Sequence, residues 1–270
     1  MGFGNLSSMI GGVCCLRRIG TVAQFLFITD LDNTLVGDDA ALAQLNERLL
    51  EHRATYGTRI VYSTGRSRAS YLGLREEKQL IEPDAVINGV GTEIYLADQS
   101  APNPEWSGRL SEGWDREGIL ANVTHFADLT PQPAAEQNPF KISFFLSDAV
   151  ASAVLPRMDQ RLKDAGYAVN IIYSSGQDLD LLPVRANKGL AMTFLRESWQ
   201  FEPQRTVACG DSGNDRALFE RNEERGIIVG NARPELREWH EANPSPYRYM
   251  AKAPCAGGIL EGLLHFGFFA

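Results

Sequence analysis

From Gln24 onward, short apolar runs alternate with stretches whose apolar positions recur at helical spacing. Phe25 to Thr29 reads as a buried strand ending in Asp30. Asp38 and Asp39 then open a helix with Leu42, Leu45 and Leu49 on its apolar face, and Gly57 closes it. Arg59 to Ser63 predicts the next strand, which runs into Thr64-Gly65-Arg66. A helical pattern from Ser67 leads to Pro83 and then to a strand at Ala85–Ile87. Thr206 to Cys209 and Gly226 to Val229 predict two more strands with a helix between them. Strands and helices alternating in this way predict an α/β protein with a parallel, doubly wound, Rossmann-like sheet. Ligands of such sheets bind at the carboxyl ends of the strands, where Asp30, Thr64 and Asp211 all fall.

The middle of the chain has a different pattern. An amphipathic stretch at Trp114–Leu129 precedes an alternating strand at Lys141–Leu146 and a helix from about Ala149 to Ala165. Strand patterns follow at Ala168–Tyr173 and Leu179–Leu182. These predict a small α+β module, residues 109–186, inserted into a core made of residues 24–108 and 187–270. Residues 1–23 have no basic n-region ahead of their short apolar stretch, so they do not read as a signal peptide. They are expected to be a peripheral or disordered extension.

Composition narrows the partners. A formal net charge of -8 with no Lys/Arg-rich run argues against general nucleic-acid binding. No apolar run approaches the ~18 residues of a membrane span, so a cytoplasmic protein without membrane contact is expected. Four cysteines are too few for a disulfide framework, and Cys209 and Cys255 are expected to be reduced. An acidic protein that handles phosphate would have to neutralise charge locally, with a metal ion or a placed lysine.

Four local constellations could carry chemistry. Asp30-Leu31-Asp32-Asn33-Thr34 places two carboxylates two residues apart at a strand end. One could attack phosphorus while the other protonates the leaving oxygen and later activates water. A helix N-cap or a turn would use the same residues; a calcium loop is excluded, because Leu35 and Ala41 stand where such a loop needs Gly and Glu. Thr64 follows the second strand, where a hydroxyl could meet a phosphate oxygen or simply cap a helix. Lys188 opens a helix, where the macrodipole disfavours a cation unless an anion shares the site; a solvated surface lysine is the plainer explanation. Gly210-Asp211-Ser212-Gly213-Asn214-Asp215 offers acidic oxygens for Mg²⁺ or makes an ordinary turn.

Together and in this order, these four constellations resemble the motifs of the haloacid dehalogenase superfamily, over residues 25 to about 265. The resemblance implies that Asp30 is the nucleophile and Asp32 the general acid/base. It also implies that Thr64, Gly65, Lys188 and Asn214 bind phosphate, and that Asp30, the backbone carbonyl of Asp32, Asp211 and Asp215 surround Mg²⁺. An αβ cap inserted between the Thr and Lys motifs is similar to the type IIB-like phosphatases of small sugar phosphates. The segments 88–95, 136–143, 174–183 and 210–215 resemble those of sucrose-phosphate phosphatases of the cyanobacterial and plant type. The implied reaction is Mg²⁺-dependent hydrolysis of sucrose 6-phosphate through an aspartyl-phosphate, the last step of sucrose synthesis. Glu136, Gln137, Asn138, Lys141, Ser143, Asp178 and Asp180 would contact the sugar, although their alternation equally describes the solvated face of a sheet. The expected partners are a sugar phosphate and, by pathway logic, sucrose-phosphate synthase; a monomer is expected. Alternatives are a phosphatase for glucosylglycerol phosphate, mannosyl-phosphoglycerate or trehalose phosphate, a phosphotransferase or mutase, and a catalytically silent sugar-phosphate-binding module.

Overall fold

A computed structural model describes residues 24–269; the expectation for residues 1–23 lies outside them. In chain order the larger elements are β1 Leu26–Thr29, α1 Asp39–Tyr56, β2 Arg59–Ser63, α2 Arg68–Lys78, β3 Ala85–Asn88, β4 Glu93–Leu96, α3 Pro104–Ser111, α4 Arg116–Val123, β5 Thr130–Pro131 and β6 Ile142–Phe145. These are followed by α5 Asp148–Asp164, β7 Val169–Ser174, β8 Asp178–Pro183, α6 Lys188–Ser198, β9 Thr206–Gly210, α7 Arg216–Phe219, β10 Arg225–Ile228, α8 Pro234–Ala242, β11 Arg248–Met250 and α9 Cys255–His265.

Seven strands form one sheet in the order β11-β10-β9-β1-β2-β3-β4, parallel throughout except for the edge strand β4. The run Phe25–Ile28 leading through β1 is apolar at every position, as suits a strand covered by helices on both sheet faces. Phe25 and Phe27 pack with Leu42, Leu45 and Leu49 of α1 and Ile259 and Leu263 of α9. Leu26 and Ile28 face the other way, towards Trp106 of α3, Met192 and Leu195 of α6 and Leu236 of α8. Register places the functional loops side by side: Thr29 lies opposite Tyr62 of β2 and Cys209 of β9, so the chain leaves all three strands at one end. The Asp30 N–H continues the ladder to the Cys209 carbonyl at 3.0 Å.

A second, antiparallel sheet has the order β5-β6-β8-β7. Its alternation sorts side chains by face. Ile142, Phe144, Leu179 and Leu181 pack on Ile119 and Val123 of α4 and on Val154, Met158 and Leu162 of α5. Ser143 and Asp180, paired across the sheet, lie on the other face. The stretch Trp114–Leu129 is not one helix. Helix α4 stops at Val123, and Thr124 turns its hydroxyl back onto the Ala121 carbonyl, a side-chain bond that competes with helix continuation. Cys209 and Cys255 are free and buried. Among the described residues no helix is long and apolar enough to cross a membrane.

The loop after β3 turns through Gly89, Val90 and Gly91, all with positive φ. At Gly91 (φ +96°) a Cβ would stand 2.4 Å from the Asn187 carbonyl carbon and oxygen and 2.9 Å from the Lys188 nitrogen. This glycine therefore lets the β3 loop and the start of α6 touch backbone to backbone. Gly91→Ala adds strain and a clash and is expected to cost about 2–4 kcal/mol, lowering Tm by roughly 5–15 °C. Thermal unfolding measures it, and a Tm within about 2 °C of wild type would contradict this role.

Candidate active site

Lys188 organises the floor of the site. Asn187 caps α6 by accepting the Leu190 N–H at 2.7 Å, which fixes the backbone on which Lys188 sits. The lysine is fully buried, and its Nζ donates to Asp30 Oδ1 at 2.7 Å and to Asp215 Oδ1 at 2.6 Å. A surface lysine is thereby ruled out, and two carboxylates from other loops offset the unfavourable helix dipole. Asp215 is fully committed: its Oδ2 accepts the backbone N–H groups of Asp211 and Ser212, both at 3.1 Å. Asp211 Oδ1 accepts the Thr34 hydroxyl at 3.0 Å.

Asp30, Asp211 and Asp215 offer oxygens all within 4.8 Å of one another. Three buried carboxylates against one lysine leave the cluster short of positive charge. Burial raises Asp30 well above the carboxylate range, with Lys188 opposing it and Asp215 and Asp211 adding to it. Burial, then Asp215, pushes Asp211 up to about 7. For Lys188 burial works against the charge, but Asp215 and Asp30 outweigh it and the value is raised. An all-oxygen, electron-rich, buried donor set fits a hard divalent cation such as Mg²⁺. Asp215 also accepts two backbone N–H groups and the Lys188 ammonium, whereas Asp30 accepts Lys188 and Asp211 accepts Thr34.

Above this floor lies a cleft of about 350 Å³ between the two sheets. Asp30, Asp32, Gly65, Asn214 and Asp211 line it from the large sheet, and Glu136, Lys141, Asp178 and Asp180 line it from the small one. Thr64 is buried next to Gly65, and its hydroxyl oxygen accepts the Arg66 N–H at 3.1 Å; the helix cap itself is Ser67. Asn214 carries a buried Oδ1 with no partner among the described residues. Lys141 and Asp180 are buried, with Lys141 Nζ 3.4 Å from Asp180 Oδ1 and 3.5 Å from the Gly65 carbonyl oxygen. A solvated sheet face is therefore not what these positions form.

Three of the expected sugar contacts are otherwise engaged. The Gln137 amide donates to the Gln132 and Ser143 carbonyls and accepts the Ser143 N–H. Asn138 bonds Thr92 Oγ1 and the Phe140 N–H. Ser143 donates to Asp180 at 2.6 Å. None of the three lines the cleft. The cleft also contains Arg66, Gln132, Ser174, Ser175 and Arg233, to which the sequence assigned no role. Arg66 had a signal in its place directly after Thr64-Gly65, and Ser174 and Ser175 in the resemblance of segment 174–183.

Residues 23–267 match the model of the sucrose-6F-phosphate phosphohydrolase family. The chain belongs to this family. Its fold is that of the haloacid dehalogenase superfamily. The chain is similar to the crystal structure of a sucrose-phosphatase from Synechocystis sp. PCC6803 in complex with sucrose and phosphate, with 42% identity and a TM-score of 0.86, covering 92% of this chain and 100% of that one. A probable sucrose-phosphatase 2 of Arabidopsis thaliana is 38% identical over 93% of this chain. The chain spans 61% of the length of that plant relative. A mannosylfructose-phosphate phosphatase of Agrobacterium fabrum is 37% identical over 90% of this chain and 96% of its own.

The charge deficit has a thermodynamic signature. In the folded, chelated protein Asp211 keeps its proton to about pH 7, against an ordinary value of 3.8. Between those values the folded state binds more protons than the unfolded one, so stability falls as pH rises through the window. Thermal unfolding in EDTA is expected to show Tm declining from pH 5 to pH 8, less steeply in Asp211→Asn, with added Mg²⁺ restoring more at pH 8 than at pH 5. A variant as steep as wild type would contradict the assignment.

Proposed function

We propose that this family member hydrolyses the phosphate ester of a fructose-containing disaccharide, with sucrose 6-phosphate as its substrate. The observation that carries the reading is the buried Asp30–Lys188–Asp215 ion triad beneath a cleft that the small-sheet module lines with Glu136, Lys141, Asp178 and Asp180. In this reading residues 24–108 and 187–269 are the catalytic core, and residues 109–186 are a cap that recognises the sugar. The sucrose-phosphatase relatives support sucrose 6-phosphate. The relative acting on mannosylfructose phosphate supports a second disaccharide ester as the alternative.

The chemistry follows from the charges. Asp30 attacks phosphorus as the bond to the sugar oxygen breaks, and Asp32 gives that oxygen its proton. Water then attacks the aspartyl-phosphate, losing a proton to Asp32 as the Asp30–phosphorus bond breaks. Both Asp30 and the substrate phosphate are anionic, so attack is repulsive in an isolated pair. Lys188 offsets part of this repulsion from beneath, while Thr64, Gly65 and Asn214 form the phosphate-facing wall. Mg²⁺, held by Asp30, Asp211 and the Asp32 backbone carbonyl, would neutralise further charge on the transferring oxygens. Asp178, raised by burial and then by Asp180, and the Lys141–Asp180 pair are suited to sugar hydroxyls. Buried free thiols at Cys209 and Cys255 accord with a reducing, cytoplasmic setting.

Phosphate release from sucrose 6-phosphate, mannosylfructose phosphate, fructose 6-phosphate and glucose 6-phosphate, with Mg²⁺ and with EDTA, tests the reading. The expected result is Mg²⁺-dependent release with kcat/KM highest for sucrose 6-phosphate, and a loss of at least about a thousandfold in Asp30→Asn. A preference for a monosaccharide phosphate, or Asp30→Asn near wild type, would overturn it.

A further inference from the structure

Arg66 sits in the loop between β2 and α2 with its backbone fixed from both sides. Its N–H donates to Thr64 Oγ1, and its carbonyl accepts the Gly89 N–H at 3.0 Å and the Asn88 side-chain amide at 3.3 Å. The guanidinium is equally committed. Nε donates to Asp32 Oδ2 at 2.7 Å, Nη2 to Asp32 Oδ1 at 2.7 Å, and Nη1 to Ser70 Oγ at 2.8 Å. This is a two-pronged fork on both oxygens of one carboxylate, braced from behind by the first turn of α2. The pair lies in the cleft with side chains 32% and 43% exposed, where an ion pair contributes little to holding a fold. Next to it, Ser67 Oγ donates to Glu136 Oε1 of the small-sheet module at 3.2 Å, so the fork stands at the seam where the sugar would enter.

A sugar alkoxide leaves only if a proton reaches it, and the donor must hold its carboxyl edge on the ester oxygen. Asp32 stands in the loop beyond a strand end, free to turn about two side-chain bonds unless something fixes its plane. A bidentate guanidinium does so, and a single-point ammonium does not. The fork also interacts more strongly with the carboxylate left after proton donation than with the carboxylic acid before it. That makes it an interaction that grows towards the transition state.

We propose that Arg66 is the positioning residue for proton transfer, fixing the Asp32 carboxyl plane against the leaving sugar oxygen and stabilising the carboxylate that forms there. This rests on the reading of Asp32 as general acid. In the step concerned, the Asp32 O–H bond breaks and its proton joins the sugar oxygen. The phosphorus–oxygen bond to the sugar breaks as the bond to Asp30 forms, and the attacking water later returns a proton to Asp32.

Two esters separate this role from others, because 4-nitrophenolate leaves without a proton and a sugar alkoxide does not. The measurement is kcat/KM for sucrose 6-phosphate and for 4-nitrophenyl phosphate in wild type, Arg66→Lys, Arg66→Gln and Asp32→Asn, with inhibition by inorganic phosphate in each. Both Arg66 variants are expected to lower the ratio of sugar-ester to nitrophenyl-ester kcat/KM by about ten- to a hundredfold, and Asp32→Asn by more. The inhibition constant of phosphate is expected to stay within about threefold in the Arg66 variants. Equal losses on both esters in the Arg66 variants, with the ratio still falling in Asp32→Asn, would overturn the inference alone. A parallel weakening of phosphate inhibition would also overturn it, by making Arg66 a phosphate ligand. An unchanged ratio in Asp32→Asn would instead remove the general acid on which the inference rests.

Discussion

A lysine with no solvent exposure has to be neutralised within the protein, and that requirement at Lys188 sets the arrangement of everything around it. An unpaired buried ammonium is untenable, and breaking a buried pair by deleting one partner costs about 3–5 kcal/mol. Lys188 therefore pulls Asp30 from the end of β1 and Asp215 from the turn after β9 onto one atom. Asp215 in turn gathers the Asp211 and Ser212 amides, which places a third carboxylate, Asp211, beside the first. The backbone contact at Gly91 seats the start of α6. The parallel register of β1, β2 and β9 brings the strand ends to one edge, and the lysine turns that edge into a charged centre.

The same network leaves a charge imbalance that the protein alone does not close. Three buried carboxylates share one ammonium, so all three can be ionised together only at a cost. The raised values of Asp30 and Asp211 express this. The imbalance suits a site completed by a cation. The small sheet answers a different demand. It buries its apolar face on its own helices and leaves Lys141, Asp178 and Asp180 to line the cleft, so the roof is hydrogen-bonding surface.

The floor of the candidate site was legible in the sequence because its spacing is tied to backbone geometry. A strand end followed by Asp30-x-Asp32, a strand end followed by Thr64, and a strand end followed by Asp211 can be read wherever apolar runs stop. The burial of Lys188 could not be read, since its carboxylate partners lie 158 and 27 residues away. Gln137 and Asn138 show the limit at the level of one side chain. Local sequence offers their amides to a ligand, but in the fold both hold the turn before β6 and neither lines the cleft. Gln132 and Arg233 reach the cleft only through tertiary folding and left no local signal, while Ser174 and Ser175 were marked only as part of segment 174–183. Arg66 stood within a motif already noticed, but its pairing with Asp32 depends on the loops after β1 and β2 lying side by side.

The most direct test of Asp30 as a nucleophile seated on Lys188 is to trap its covalent intermediate. Rapid quenching during turnover of sucrose 6-phosphate, borohydride reduction and peptide mapping would convert an acyl phosphate at Asp30 into homoserine. Homoserine at position 30, appearing only with substrate and absent from Lys188→Met, is the predicted result. Turnover at full rate with no modification at position 30, or with the label on another carboxylate, would contradict it.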